Sequence, residues 1–282
     1  VFTQSVENIV ETAAAKRDKM NESLPKYFLA ALLAGAYVGI GIILIFSLGA
    51  PLAAVKSPFQ PLIMGTSFGI ALTLVVFAGS ELFTGNNMFF TVSTLAGRTS
   101  VWDTVKNWII VFIGNVAGAV VLALLIRGTG LFSAAPAEHL IFTAAAKKMS
   151  LPFSELFFRG ILCNWLVCLA LWMASRAKSE TAKLVLIWWC LFAFIASGYE
   201  HSVANMTLLS VAVLLPNHPE TVSLAGWFHN MIPVTLGYIV DGGFFVVMAY
   251  WLISRVLADR PCVITGTTQP VSYLCSVLVG RL

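Results

Sequence analysis

GSELFTGN at residues 79–86 and SGYEHSVAN at residues 197–205 are short polar, glycine-bearing runs set in otherwise apolar sequence. The apolar segments that contain them, 60–97 and 184–215, are too long for a single bilayer crossing, which takes about 20 apolar residues for a core of roughly 30 Å. Each therefore reads as a broken helix. Backbone N–H and C=O groups freed at membrane depth are tolerated only where they are buried in protein or line a cavity. The two breaks thus mark where a path through the protein should run.

Working outward, unbroken apolar segments at 27–49, 107–126, 154–175 and 226–256 bring the expected number of crossings to six. With the second and fifth broken, the chain divides into two three-span halves of opposite orientation. Local sequence agrees: Gly79-Ser80-Glu81 answers Gly198-Tyr199-Glu200, and Gly114 answers Gly237. Broken helices at matching places in inverted halves point to a substrate path. The expected fold class is an all-α integral membrane protein, six transmembrane helices in an inverted 3+3 repeat.

Composition supports this. Of 282 residues, 59% are hydrophobic and only 11% charged, against roughly 45–50% and about 25% in soluble domains. The net charge of +4 is small, and no dense Lys/Arg cluster suggests nucleic acid as a partner. The five cysteines (163, 168, 190, 262 and 275) are an odd set, and the first three lie within apolar segments. They read as packing thiols, neither a disulfide framework nor a metal site.

Charged residues from Glu7 to Glu22 precede any long apolar run, the wrong order for a cleavable signal peptide. Val6, Ile9, Val10 and Ala13 recur at helical spacing, so residues 1–26 read as an amphipathic helix on the cytoplasmic face or over the pore, or else as a plain solvated helix. Residues 27–256 form the channel domain and 257–282 a tail. With both ends cytoplasmic, twelve of the 17 Lys and Arg fall in inner segments and four in outer ones, with Arg159 near a span end. That distribution obeys the positive-inside rule.

Ionisable residues at membrane depth are costly and hence functional candidates. Glu81 and Glu200 adjoin the breaks, where a carboxylate can accept hydrogen bonds from freed N–H groups of the following half-helix. His201 is the one histidine of four deep in a span at a break, and imidazole exchanges protons near neutral pH. Phe68, Leu72, Phe83, Phe194 and Leu208 surround this polar centre, either as constrictions or as ordinary packing. Other chemistries lack their parts. No nucleophile–base set suggests an enzyme, no facing histidine pair suggests haem, and neither break carries the Asn-Pro-Ala of a neutral-solute channel. No cofactor or metal is expected.

AGSELFTG at 78–85, GILCNWLVCLA at 160–170 and FIASGYEHSVANM at 194–206 resemble the signature segments of the formate/nitrite transporter family, and GAYVGIGIILIF at 35–46 and NMIPVTLG at 230–237 extend the likeness over about residues 1–256. The wording GSELFTG is closer to the nitrite branch than to the formate branch.

The resemblance implies a homopentamer in the bacterial inner membrane, each aquaporin-like protomer carrying its own pore around a lipid-filled centre. It implies further that Phe68 and Phe194 form an outer constriction, and Leu72 and Phe83 an inner one. Thr84 would hydrogen-bond His201, with Asn205 in the same polar centre, while Lys148, sixteen residues before Asn164, would attract anions in an outer vestibule. The cargo would be nitrite, with formate and hydrosulfide as alternatives.

A bare anion at a phenylalanine constriction loses several kcal/mol of hydration or more, with nothing there to offset it. Protonation near His201 would let it cross as the neutral acid. One departure stands out: Tyr238 follows Val234-Thr235-Leu236-Gly237 where the family commonly has Asn. Either Asp241 supplies the missing bridge from the next turn, or packing or selectivity differs there.

Overall fold

The computed structural model describes residues 2–258, and every regular element in it is helical. The tail after residue 258, which sequence alone does not place, lies outside the described residues. Helix α1 (Thr3–Glu22) leads into α2 (Leu24–Ala54). The second crossing comprises α3 (Gln60–Ser67), α4 (Ile70–Ala78) and, past the break, α5 (Phe83–Leu95); α6 (Val101–Thr129) completes the first half. A short helix α7 (Leu140–Ser150) precedes α8 (Phe153–Arg176), the broken pair α9 (Glu180–Ala196) and α10 (Ser202–Leu214), and α11 (Leu224–Phe244). Helix α12 (Val247–Ala258) follows.

The stretches Leu24–Ala54, Gln60–Ala78, Val101–Thr129 and Phe153–Arg176 are each long and apolar enough to cross a bilayer alone. The fifth crossing is shared by α9 and α10, and the sixth is α11. The expected last span, 226–256, is in fact two helices parting after Phe244. The residues at the junction, 244–247, are all apolar, so hydropathy carries no sign of the turn there, and Asp241-Gly242-Gly243 just before it is the one local mark. Tyr250 of α12 stacks on Trp172 of α8 at 4.5 Å, and the ring of Phe2 packs on Tyr250 at 5.1 Å.

The first broken crossing also has a kink that its sequence did not announce. Between α3 and α4, Gly69 lies so close to the Trp188 indole that a Cβ there would come within 2.6 Å of it. The Trp188 N–H donates to the Thr66 carbonyl at 2.7 Å, taking up an acceptor beside the kink.

The halves mirror each other closely at the breaks. Gly79 and Gly198 end α4 and α9 with φ of 75° and 72°, a left-handed conformation that glycine adopts without steric cost. Ser80 N–H reaches Val75 O and Tyr199 N–H reaches Phe194 O, both at 3.0 Å. Next, Glu81 N–H donates to Ala30 O of α2 and Glu200 N–H to Arg159 O of α8. Each break is thereby stitched to the first crossing of its own half.

Helix α1 is not simply solvated. Val6, Ile9, Val10 and Ala13 are all buried, the apolar stripe that the spacing predicts. The helix packs on α5 and α12, and Arg17 donates to the Arg98 carbonyl at 2.9 Å.

Candidate functional site

Two cavities enter the protein from opposite ends and share no lining residue. One, of about 420 Å³, lies beneath α1 and is lined by Lys16, Leu72, Glu81 and Asn86 among others. The second, of about 360 Å³, lies beside α7 and is lined by Lys147, Lys148, His201 and Asn205 among others. Phe68, Phe83, Phe194, Leu208 and Thr84 line neither cavity and are at most 2% exposed. Phe68 lies one turn before Leu72 on the kinked second crossing. The Phe68 and Phe194 rings meet edge to face at 5.8 Å, and both pack on the His201 ring, at 6.3 and 5.4 Å. Phe83 packs on Phe112 at 5.2 Å.

His201 occupies the N-cap of α10, where its Nδ1 accepts the Ala204 N–H at 3.1 Å. A ring nitrogen that accepts carries no proton, so the neutral tautomer has its proton on Nε2. The sequence reading found this residue but not its capping function. In the first half Leu82 holds the same position and cannot cap. Asn115, reaching in from α6, does it instead: Oδ1 accepts the Phe83 N–H at 2.9 Å, while Nδ2 donates to Ala31 O at 2.7 Å and Glu81 O at 3.0 Å. Asn115 was missed, although its place after Gly114 in a segment repeated at Gly237 was a usable signal.

The two carboxylates correct the expectation that they cap backbone N–H groups. Each precedes the N-cap residue and turns to side chains instead. Glu200 accepts Lys148 Nζ at 2.8 Å and Asn205 Nδ2 at 2.6 Å. Asn205 also donates to Asn230 Oδ1 at 2.9 Å, and Asn230 to Lys148 O at 3.0 Å. Glu81 accepts Lys16 Nζ at 2.5 Å, Tyr27 Oη at 2.9 Å and Asn86 Nδ2 at 3.0 Å. A Glu–Asn pair five residues apart, closed by a lysine from a separate helix, thus stands at each break. Lys16, 65 positions from Glu81, carried no sequence signal.

The expected single polar centre is accordingly divided. Glu81 belongs to the cavity under α1, Glu200 and Asn205 to the side of the other, with His201 at the inner end of the latter. The Thr84–His201 hydrogen bond is not formed: the Thr84 hydroxyl is buried with no partner. Asn164 does not line the vestibule. It is fully buried and donates to Tyr238 O at 3.0 Å. Nor does Asp241 supply the bridge that an Asn at 238 would make, because neither of its carboxylate oxygens meets a hydrogen-bond donor in regular geometry. Tyr238 instead packs its ring on His201 at 5.7 Å.

Outside the crossings, His139 caps α7 through Nδ1 to the Ile141 N–H, and burial holds its imidazole below the ordinary pKa. Among the described residues, no group of three His, Cys, Asp or Glu side chains is arranged to hold a metal, and Cys163, Cys168 and Cys190 are free.

The profile described as "Formate/nitrite transporter" matches residues 3–252. The chain is 45% identical to "Nitrite transporter NirC" of Escherichia coli (strain K12) over 267 residues, 93% of this chain and 95% of the relative. Among solved structures it is similar to one titled "FNT family ion channel", with a TM-score of 0.85 and 45% identity over 89% of this chain and 99% of the other. It is also similar to "Pentameric formate channel with formate bound", with a TM-score of 0.70 and 31% identity over 82% and 97%. With nearly its whole described length matched in sequence and fold, the chain is a multi-pass membrane protein that belongs to the formate/nitrite transporter family, whose members are channels and transporters and not enzymes.

Proposed function

We propose that the protein passes small monovalent anions, nitrite first among them, by converting them to the neutral acid between Phe68/Phe194 and Leu72/Phe83. The observation that carries this reading is the position of His201, at the inner end of one cavity and directly behind the Phe68–Phe194 pair. With Nδ1 held by the Ala204 N–H, its proton on Nε2 is the one available for exchange. The apolar stretch beyond offers a bare anion no compensation for lost hydration. The acid, carrying no charge, avoids that cost.

The basic-residue distribution supports placing α1 and its cavity on the cytoplasmic side, with residues 27–256 as the channel unit. The cavity beside α7 is then the outer vestibule. Lys148 there is neutralised by Glu200, while Lys147 also lines the vestibule and has no carboxylate partner among the described residues. Likeness to a pentameric channel supports a homopentamer in lipid. Nitrite is preferred over formate on the 45% identity to a nitrite transporter against 31% to a formate channel; hydrosulfide is the third candidate.

The decisive comparison is His201→Asn against His201→Phe in proteoliposomes. Asn can still cap α10, while Phe loses the cap at a cost of about 1 kcal/mol. Both should lose proton-coupled nitrite uptake, and only the Phe variant should melt earlier. Undiminished pH-dependent uptake by His201→Asn would overturn the reading. Nitrite, formate and hydrosulfide offered in parallel, with membrane current recorded, rank the cargoes; flux without net charge movement is expected.

A further inference from the structure

The inverted repeat exposes a difference between the halves that the pathway above does not use. The matched bonds from Glu81 to Ala30 and from Glu200 to Arg159 set the register of α2 on α8, and the match of Gly114 with Gly237 sets that of α6 on α11: Gly35, Gly39 and Gly118 of the first half correspond to Asn164, Cys168 and Asp241 of the second. In the first half there is no room for side chains. A Cβ on Gly35 would run into the Asn115 carbonyl, and one on Gly118 into that of Leu32. In the second half the same crossing, α8 against α11, encloses an amide, a thiol and a carboxyl.

Asp241 is 1% exposed. Neither carboxylate oxygen makes a regular hydrogen bond, and no cation pairs with it among the described residues. Its neighbours are uncharged. Asn164 and Cys168 face it from α8, with Cys163 beyond. On α11, Tyr238 lies one turn back, its hydroxyl near Cys163 and the Ser202 N–H but outside regular hydrogen-bond geometry. From α5, Asn87 packs against the adjacent Gly242. Glu200 and His201, just before α10, and Lys148 of α7 are the groups around Cys163 and Tyr238 that carry or acquire charge, and the first and last neutralise each other. An ionised carboxylate in such a site forfeits its hydration without gaining a counter-charge, whereas the acid loses only the hydration of a hydroxyl and a carbonyl.

We propose that Asp241 is a proton-binding site distinct from His201, a carboxylic acid held neutral between α8 and α11, whose loss of the proton at alkaline pH stops transport. The link to the pore is structural. The donors that face a newly formed carboxylate are the Cys168 thiol and the Asn164 amide; the amide now holds the Tyr238 carbonyl, and the Tyr238 ring is the wall against His201. Charging Asp241 draws Asn164 toward it and disturbs that wall.

The test is infrared difference spectroscopy of the full chain in proteoliposomes, titrated from neutral to strongly alkaline pH, with nitrite uptake measured alongside. Wild type should show the C=O stretch of a protonated buried carboxyl at neutral pH, and Asp241→Asn should lack it. As the wild-type band disappears, uptake by Asp241→Asn relative to wild type should rise at least tenfold, a ratio in which the cargo's own protonation cancels. Absence of the band from wild type, its persistence in Asp241→Asn, or a constant uptake ratio overturns the proposal. Should Asp241→Asn fail to assemble, Cys168→Ser serves instead: it should shift the band's frequency, and an unmoved band is equally fatal. The band reports Asp241 whatever the cargo, so its failure is separable from failure of the His201 reading.

Discussion

Replacing Glu200 with Gln keeps the shape of the side chain and removes its charge, which isolates what the Lys148–Glu200 pair does for an incoming anion. In the native protein the lysine is spent on the carboxylate at 2.8 Å, and Glu200 is only 3% exposed, so its field is poorly screened. At an effective dielectric of about 20–40, a carboxylate about 8 Å from an anion in the vestibule repels it by about 1–2 kcal/mol. Removing that repulsion should lower the anion's half-saturation concentration by about 5- to 30-fold, the smaller figure at physiological salt, where screening acts over about 8 Å.

The variant also pays structurally, because the Gln amide must set its NH2 group against either Lys148 Nζ or Asn205 Nδ2. One buried hydrogen bond is lost, at about 1–3 kcal/mol. The maximal rate should fall as well, since a more tightly held anion leaves more slowly. The assay is initial nitrite uptake into proteoliposomes over a concentration series at low and physiological ionic strength, with thermal unfolding in detergent. Unchanged or raised half-saturation in a folded Glu200→Gln protein would refute the argument and leave the pair a purely structural clasp.

Two further variants probe the first half. Asn115→Ala leaves the Phe83 N–H and the Glu81 carbonyl without their partner and removes the extra bond to the Ala31 carbonyl, which keeps its place in the ladder of α2; at about 1–3 kcal/mol per buried orphan it should lower the melting temperature more than any single change at the His201 cap, and a melting temperature within error of wild type counts against the cap assignment. Lys16→Met strands the Glu81 carboxylate in the cavity under α1, so nitrite flux should fall by about 2- to 5-fold at low salt by the same Coulomb reasoning. Adding Glu81→Gln should restore most of it, and a double variant as slow as Lys16→Met alone shows that the lysine acts some other way.

The membrane class, the six crossings, the two breaks and the inverted repeat were legible in the sequence, because hydropathy and chain punctuation act over a single turn or span. Gly79 and Gly198 stop their helices by backbone conformation alone, and His201 was legible as the deep histidine beside such a stop. The parting of α11 from α12 leaves no mark in hydropathy, since the residues on both sides of the turn are apolar, and Asp241-Gly242-Gly243 just before it is the one local sign. The partners of the polar residues were not legible. Lys16 finds Glu81 across 65 positions and Lys148 finds Glu200 across 52, while Asn164, adjacent in the fold to Tyr238 and Asp241, turns away from the vestibule that its motif suggested. Each of those outcomes depends on which helix faces share an interior, and that is settled only when the two halves pack. A buried polar group takes whichever partner the packed neighbours bring within hydrogen-bonding reach, so it is the packing of the two halves that clasps the breaks with lysines, lets Asn115 stand in for a missing cap, and leaves Asp241 without a donor in regular hydrogen-bond geometry.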